Sequence, residues 1–152
     1  MKKYKLRDLL KINIGKTHKH LNKGNIPVYG SGGIISYVDQ YLFSGESILL
    51  PNVYSSSNII YINKPFWTID TMFWTQVNNN IVYTKYLYFY LKLLNFSNSL
   101  TGSILPRVTR EKYYDVTVEI PDLSIQKSVL DILEPIEDKI ELNNKINDNL
   151  II

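Results

Sequence analysis

GNIPVYGSGGIISYV, Gly24 to Val38, decides how this chain folds, because its letters admit two incompatible readings. Four of its first ten residues are glycine, a density that lets a backbone approach a phosphate, a duplex or its own neighbouring strand. A phosphate cradle requires a strand, a glycine-rich turn and then a helix whose first amides face the anion. Here Gly30-Ser31-Gly32-Gly33 runs instead into Ile34-Ile35-Ser36-Tyr37-Val38, which is β-branched, aromatic and strand-like. The segment reads as a glycine-hinged hairpin. Neither a P-loop nor a G-x-G-x-x-G fingerprint occurs elsewhere, so nucleotide binding is not expected.

Outward from the hairpin, short apolar runs recur at Lys11–Ile14, Ser47–Leu50, Asn58–Ile62, Phe66–Ile69 and Met72–Val77, bounded by Gly, Pro, Asn and Ser. That pattern predicts a sheet of mainly neighbouring strands. Leu6–Leu10 suits a helical turn, and Gly15–Gly24 is a basic polar loop. Over Thr84–Phe96 the period changes. Tyr86, Leu87, Tyr90, Leu91 and Leu94 share one face of an amphipathic helix. A turn at Leu100–Pro106, a short helix at Thr109–Tyr113 and a strand at Val116–Ile120 follow, with Pro121 as a stop. The expected class is α+β: one globular domain, residues 1–121, with a mostly antiparallel or mixed sheet.

Residues 122–152 differ in kind. After Ser124, a plausible N-cap, Ile125, Val129, Ile132, Ile136, Ile140, Asn143, Ile146 and Leu150 recur at spacings of 3 and 4 between acids and lysines. This is a coiled-coil seam, expected to protrude about 40 Å at 1.5 Å per residue and to seek a partner helix. A C-terminal helix packed on its own sheet is the rival reading. Pro135 is expected to kink or split the helix, and Asn143 to fix register within the seam.

Composition narrows the function classes. The chain has 152 residues, 45% of them hydrophobic, enough to bury a core. Zero cysteines exclude disulfides and thiolate metal sites, and the two histidines, His18 and His20, offer at most two ligands, so neither a metal nor a cofactor is expected. Without an apolar span or leader, the protein is expected to be cytoplasmic and off the membrane. The net charge of +3 hides an asymmetry. Residues 1–23 hold eight basic side chains and one acidic (+7), residues 24–114 carry +2, and residues 115–152 carry −6. A basic globular portion suits a polyanion.

Catalysis is not expected. No Asn/Asp-Pro-Pro-Tyr/Phe stretch of a DNA methyltransferase is present, and Asp70 and Glu46 lack a near companion in sequence. Glu134, Asp138 and Glu141 at i, i+4, i+7 read better as a solvated helix face than as nuclease metal ligands. What the chain does carry is a basic cluster, Lys16, His18, Lys19, His20 and Lys23, before the glycine segment, and a second, Arg107, Arg110 and Lys112, well after it. Between them lie Tyr29, Ser31, Tyr37, Tyr41, Trp67, Trp74 and the polar run Asn52-Val53-Tyr54-Ser55-Ser56-Ser57-Asn58. Lysines suit phosphates, whereas Asn, Ser, Tyr and Arg read base edges. Lys16, His18, Lys19 and Lys23, the Tyr29–Gly33 loop with Ser31, the residues Asn52, Tyr54, Ser55, Ser56 and Asn58, and Ser103, Arg107 and Arg110 are therefore the candidate contacts to double-stranded DNA.

The order of motifs sharpens this. Gly24–Ile35, then Phe66-Trp67-Thr68-Ile69-Asp70-Thr71-Met72-Phe73, then Thr101-Gly102-Ser103-Ile104-Leu105-Pro106, then Ile120–Gln126 leading into Ile132–Asn144, resembles the specificity subunit of type I restriction-modification systems. The resemblance covers nearly the whole chain. It implies a non-catalytic target recognition domain that reads one half of a split DNA site. It further implies helices that space the halves and dock methyltransferase subunits, with the restriction subunit a further partner. A complete specificity subunit carries two recognition domains and two helices. With one of each, this chain is expected to act as a homodimer through its seam. The alternatives left open are a truncated silent copy, or an adaptor that binds protein but not DNA.

Overall fold

The hairpin forms. Strand β3 (Lys23–Gly30) turns through Ser31-Gly32 into β4 (Gly33–Val38), and Gly33 holds φ at +117°, a conformation that glycine adopts without strain. The computed structural model describes residues 1–53, 58–94 and 107–150, with residue 150 described by its backbone alone. Along the chain the remaining elements are β1 (Lys2–Lys5), α1 (Leu6–Leu9), β2 (Leu10–Asn13), β5 (Phe43–Pro51), β6 (Ile60–Thr68), β7 (Met72–Val77), α2 (Thr84–Leu93), α3 (Arg110–Tyr114), β8 (Thr117–Ile120) and α4 (Leu123–Leu150). The class is α+β.

Six strands make a mixed sheet in the order β2-β7-β5-β6-β3-β4, antiparallel except for the parallel pair β3 and β6, while β1 and β8 form a separate two-stranded ribbon. β6 merges two runs that the sequence separates, passing straight through Pro65. β3 joins β6 only at Trp67 and Thr68, so at Pro65 one flank of the strand is unpaired and the missing N–H costs no ladder bond. Strand β1 is absent from the sequence expectation because Lys-Lys-Tyr-Lys looks like a solvated tail; only Tyr4 turns toward the core.

Alternation along the central strands splits the core between the two faces of the sheet. Ile48, Leu50 and Phe73 pack with Leu87, Tyr88 and Leu91 of α2, beneath the helices. Leu49, Ile62, Phe66 and Met72 pack with Tyr29 on the other face. Each such side chain, once buried, contributes about 1.5–3 kcal/mol. Where β5 and β7 lose their regular ladder, hydroxyls take it over. Ser47 Oγ donates to the Thr75 carbonyl at 2.7 Å, and Thr75 Oγ1 donates to the Ile48 carbonyl at 2.8 Å.

α4 departs from expectation at its start and at Pro135. Its leading turn begins at Leu123, and the Asp122 carbonyl accepts from Ile125 and Gln126, so Ser124 lies inside the helix rather than capping it. The helix is continuous through Pro135. Pro135 faces solvent, so water reaches the carbonyl that the proline leaves unbonded one turn earlier. Gln126 and Leu130 are buried where α4 packs against the domain. The seam isoleucines 132, 136, 140 and 146 point elsewhere and are between 46% and 65% exposed, with Asn143 exposed beside them and Val129 half-buried at the boundary. The first part of the helix thus packs on its own domain, as the rival reading had it, while the isoleucine seam is left uncovered. No described helix is long and apolar enough to cross a membrane.

Candidate nucleic-acid interface

Strand directions gather the candidate residues. β3 and β6, which run parallel, end together beside the start of β4, and the end of β5 pairs with the start of β7, where β2 also ends because Asn13 pairs with Trp74. Loops separated widely in sequence therefore meet around one tight turn, Ile69-Asp70-Thr71, closed by the Met72 amide donating to the Ile69 carbonyl at 3.1 Å.

Each neighbouring segment is bonded to that turn. The basic loop reaches it through Gly15, where any Cβ would collide with the Ile69 carbonyl, and through Lys16, whose amide donates to the Thr68 carbonyl at 2.8 Å. Trp67 Nε1 donates in return to the Lys16 carbonyl at 2.9 Å, and the His20 ring meets Trp67 edge-on. From the hairpin, the Tyr29 carbonyl accepts from Ile69 N at 3.1 Å, and Ser31 N donates to Thr71 Oγ1 at 3.3 Å. From the end of β5, Asn52 N donates to the Thr71 carbonyl at 3.1 Å and Asn52 Nδ2 to the Asp70 carbonyl at 2.5 Å. Val53 bridges Arg107, whose Nη2 lies 3.6 Å from Asp70 Oδ2.

The side chains divide by exposure. Lys16, Lys19 and Lys23 are exposed and make no ion pair among the described residues, but Lys23 opens β3 opposite Val38, at the end of the strand away from the turn; His18 is half-buried, and its carbonyl accepts from Leu21 N. Arg107 and Arg110 are exposed, Arg110 opening α3, whose Tyr113 hydroxyl donates to the Pro51 carbonyl at 2.5 Å. Ser31 is half-buried at the hairpin tip and Asn58 is exposed. Tyr29 and Asn52, in contrast, face inward at 8% and 6% exposure. Burial, with Tyr37 as a lesser influence, raises the Tyr29 phenol above its ordinary pKa. These two side chains lie beneath the loop surface. Tyr54, Ser55, Ser56 and Ser103, with the turn at 100–106, lie outside the described residues.

The charge of the first 23 residues does not form one patch. Arg7 pairs with Glu111 and Asp115, Lys3 with Glu119, and Lys5 Nζ donates to the Asp115 carbonyl, so two of the β1–α1 cations are matched by the α3–β8 acids. The loop lysines, with Lys2 and Lys11, make no ion pair among the described residues. At the opposite end of the sheet a shallow depression of about 430 Å³ is lined by Glu46, Asn63, Gln76, Asn79 and Thr84, with no cation. Two residues central to the site escape a reading of residue types: Ile69 and Thr71 act mainly through their backbones. The signal available for them was the polar Asp70-Thr71 pair between two apolar runs.

Comparison with known proteins gives a consistent result. Residues 1–150 match the family model for the type I restriction modification DNA specificity domain. A protein described as a type I specificity subunit of Mycoplasma pneumoniae is 31% identical over 140 residues, covering 86% of this chain and 46% of that protein. Another, described as a type I restriction enzyme specificity subunit of Haemophilus influenzae, is 32% identical over 117 residues, covering 73% of this chain and 30% of that protein. The crystal structure of the S subunit of a type I restriction-modification system from M. genitalium superposes with a TM-score of 0.85 at 20% identity, over 98% of this chain and 42% of that one. The chain spans less than half the length of each of these relatives. It belongs to the family of type I restriction modification DNA specificity domains.

Proposed function

We propose that this member of the specificity family is a DNA-reading unit whose contact surface is the loop end of the sheet around Ile69–Thr71. Lys16 and Lys19 hold phosphates at this end, with His18 beside them, and Lys23, which opens β3 at the far end of that strand, holds a phosphate away from the turn. Ser31, Asn58, Arg107 and Arg110 lie near base edges, together with Tyr54, Ser55, Ser56 and Ser103 of the adjoining segments, while Asn52 and Tyr29 shape the surface from below. In this reading residues 1–121 are the recognition domain and residues 122–152 the helical spacer. The unit reads one half of a split site and docks methyltransferase subunits, and a second copy pairs through Val129, Ile132, Ile136, Ile140, Asn143 and Ile146. Pairing of that kind presents two recognition domains to a symmetric, interrupted site. No catalytic step is assigned to the chain itself.

One observation carries the reading. An unpaired lysine, Lys16, a hairpin tip and an arginine, distant in sequence, are bonded at or beside one turn at one end of the sheet, while Lys3 and Arg7 of the N-terminal segment are matched by acids. Charge reversal of Lys16, Lys19 and Lys23 tests it. Each neutralised phosphate contributes about 0.9 to the slope of log affinity against log salt, so the triple variant should lose between about 2 and 3 from that slope and most of its affinity. Unchanged duplex binding by the variant would refute the assignment. A chain serving only as an adaptor would bind no duplex at low salt and yet retain its protein partner.

A further inference from the structure

Asp70 stands at the tip of the central turn with its side chain exposed, a carboxylate beside the Arg107 guanidinium at the end where the duplex is placed. Any nearby phosphate repels it, so a surface built only for adhesion would bind better without it. Its surroundings give it a different use. Asp70 Oδ2 lies 3.6 Å from Arg107 Nη2. The backbone beneath both groups is tied to a single buried residue: Asn52 Nδ2 donates to the Asp70 carbonyl at 2.5 Å, and the Asn52 carbonyl accepts from Val108 N, next to Arg107, at 2.6 Å. Carboxylate and guanidinium therefore ride on two segments held in fixed relation.

The chemistry of the pair follows from the shape of arginine. Its guanidinium is a planar fork of five N–H donors. A carboxylate against one edge restricts the rotation of the head group and leaves another edge to donate two parallel bonds to O6 and N7 of guanine. Without that carboxylate the head group is free to settle on phosphates, which carry no sequence information. Resting on the DNA-reading function proposed above, we infer that Asp70 is a positioning residue for base reading: anchored through Asn52, it orients the Arg107 guanidinium so that one position of the bound site is read as guanine.

Selection from a pool of duplexes with a randomised tract tests this, using the full chain as wild type, Arg107→Ala, Asp70→Asn and Asp70→Glu. The wild type should enrich guanine at one position by about tenfold, the effect of one good bidentate contact. Arg107→Ala and Asp70→Asn should both lose that enrichment, and Asp70→Glu should recover part of it. Asp70→Asn should meanwhile bind bulk duplex at least as tightly as wild type, which separates lost discrimination from lost folding. A guanine preference that survives either substitution overturns the inference, as does a selected motif with no position that responds to them. Equal weakening of all duplexes by Asp70→Asn also overturns it. In these outcomes DNA reading itself stands. If the wild type enriches no sequence at all, the DNA-reading function falls and the inference falls with it.

Discussion

Two buried amide side chains stand at two ends of this molecule, the root of α4 and the loop end of the sheet, and they are satisfied to different degrees. Gln126, at the root of α4, is fully buried and makes three hydrogen bonds: Nε2 donates to the carbonyls of Ile81 and Pro121, and Oε1 accepts from Tyr83 N. Asn52, at the loop end, makes one side-chain bond, to the Asp70 carbonyl, and its Oδ1 has no partner among the described residues. A saturated buried amide specifies one geometry, whereas an unpaired acceptor costs free energy that packing alone does not return. The helix root is thus built to hold α4 in one place. The loop end keeps hydrogen-bonding capacity in reserve, where residues of the proposed interface adjoin.

The contrast is broken or sharpened most strongly at Gln126. Gln126→Leu strips one amide and two carbonyls, partly or fully buried, of their side-chain partner, and should cost about 3 kcal/mol, a fall of roughly 9 °C in Tm for a chain of this size. Asn52→Leu removes one bond and the unpaired oxygen together, so it should cost only about 1 kcal/mol in chemical denaturation while abolishing the guanine preference. Equal losses for the two variants would erase the distinction between a structural and a functional amide. The smallest effect on stability is expected at the seam. Changing Ile132, Ile136 and Ile140 together to Ser should move monomer stability by less than about 0.5 kcal/mol, because all three are exposed, yet should eliminate self-association in sedimentation. A loss of several kcal/mol there would mean that the seam packs on its own domain.

How much was legible in the sequence depends on which atoms carry the information. Side-chain patterns announce the hairpin at Gly24–Val38, the strand Met72–Val77 and the amphipathic helix from Thr84, and these elements form where the pattern puts them. The isoleucine seam of α4 is likewise visible as a period of 3 and 4, and it is the exposed stripe. The hub of the site is not legible in that way. Ile69, Asp70 and Thr71 receive or donate main-chain bonds from segments far away in sequence, and main-chain groups are the same for every residue. Gly15 is similar, since its need to lack a Cβ arises only when the Ile69 carbonyl is against it. Charge was misleading for a related reason. Lys3 and Arg7 add to a basic count at the N-terminus, but the sheet ribbon and α1 bring them to Glu119, Glu111 and Asp115. Tyr29, placed among the base-reading candidates as part of the glycine-rich Tyr29–Gly33 loop, falls on the inward side of β3.

The central claim is that the loop end of the sheet, and not the helix, meets DNA. Backbone-amide chemical-shift mapping during titration with a selected duplex tests it directly. The shifts should concentrate at Lys16–Leu21, Ser31–Gly32, Ile69–Thr71 and Arg107–Arg110, leaving Gln126–Glu137 unmoved. Shifts centred on α4, or no shifts at low salt with duplex in excess, would contradict the account.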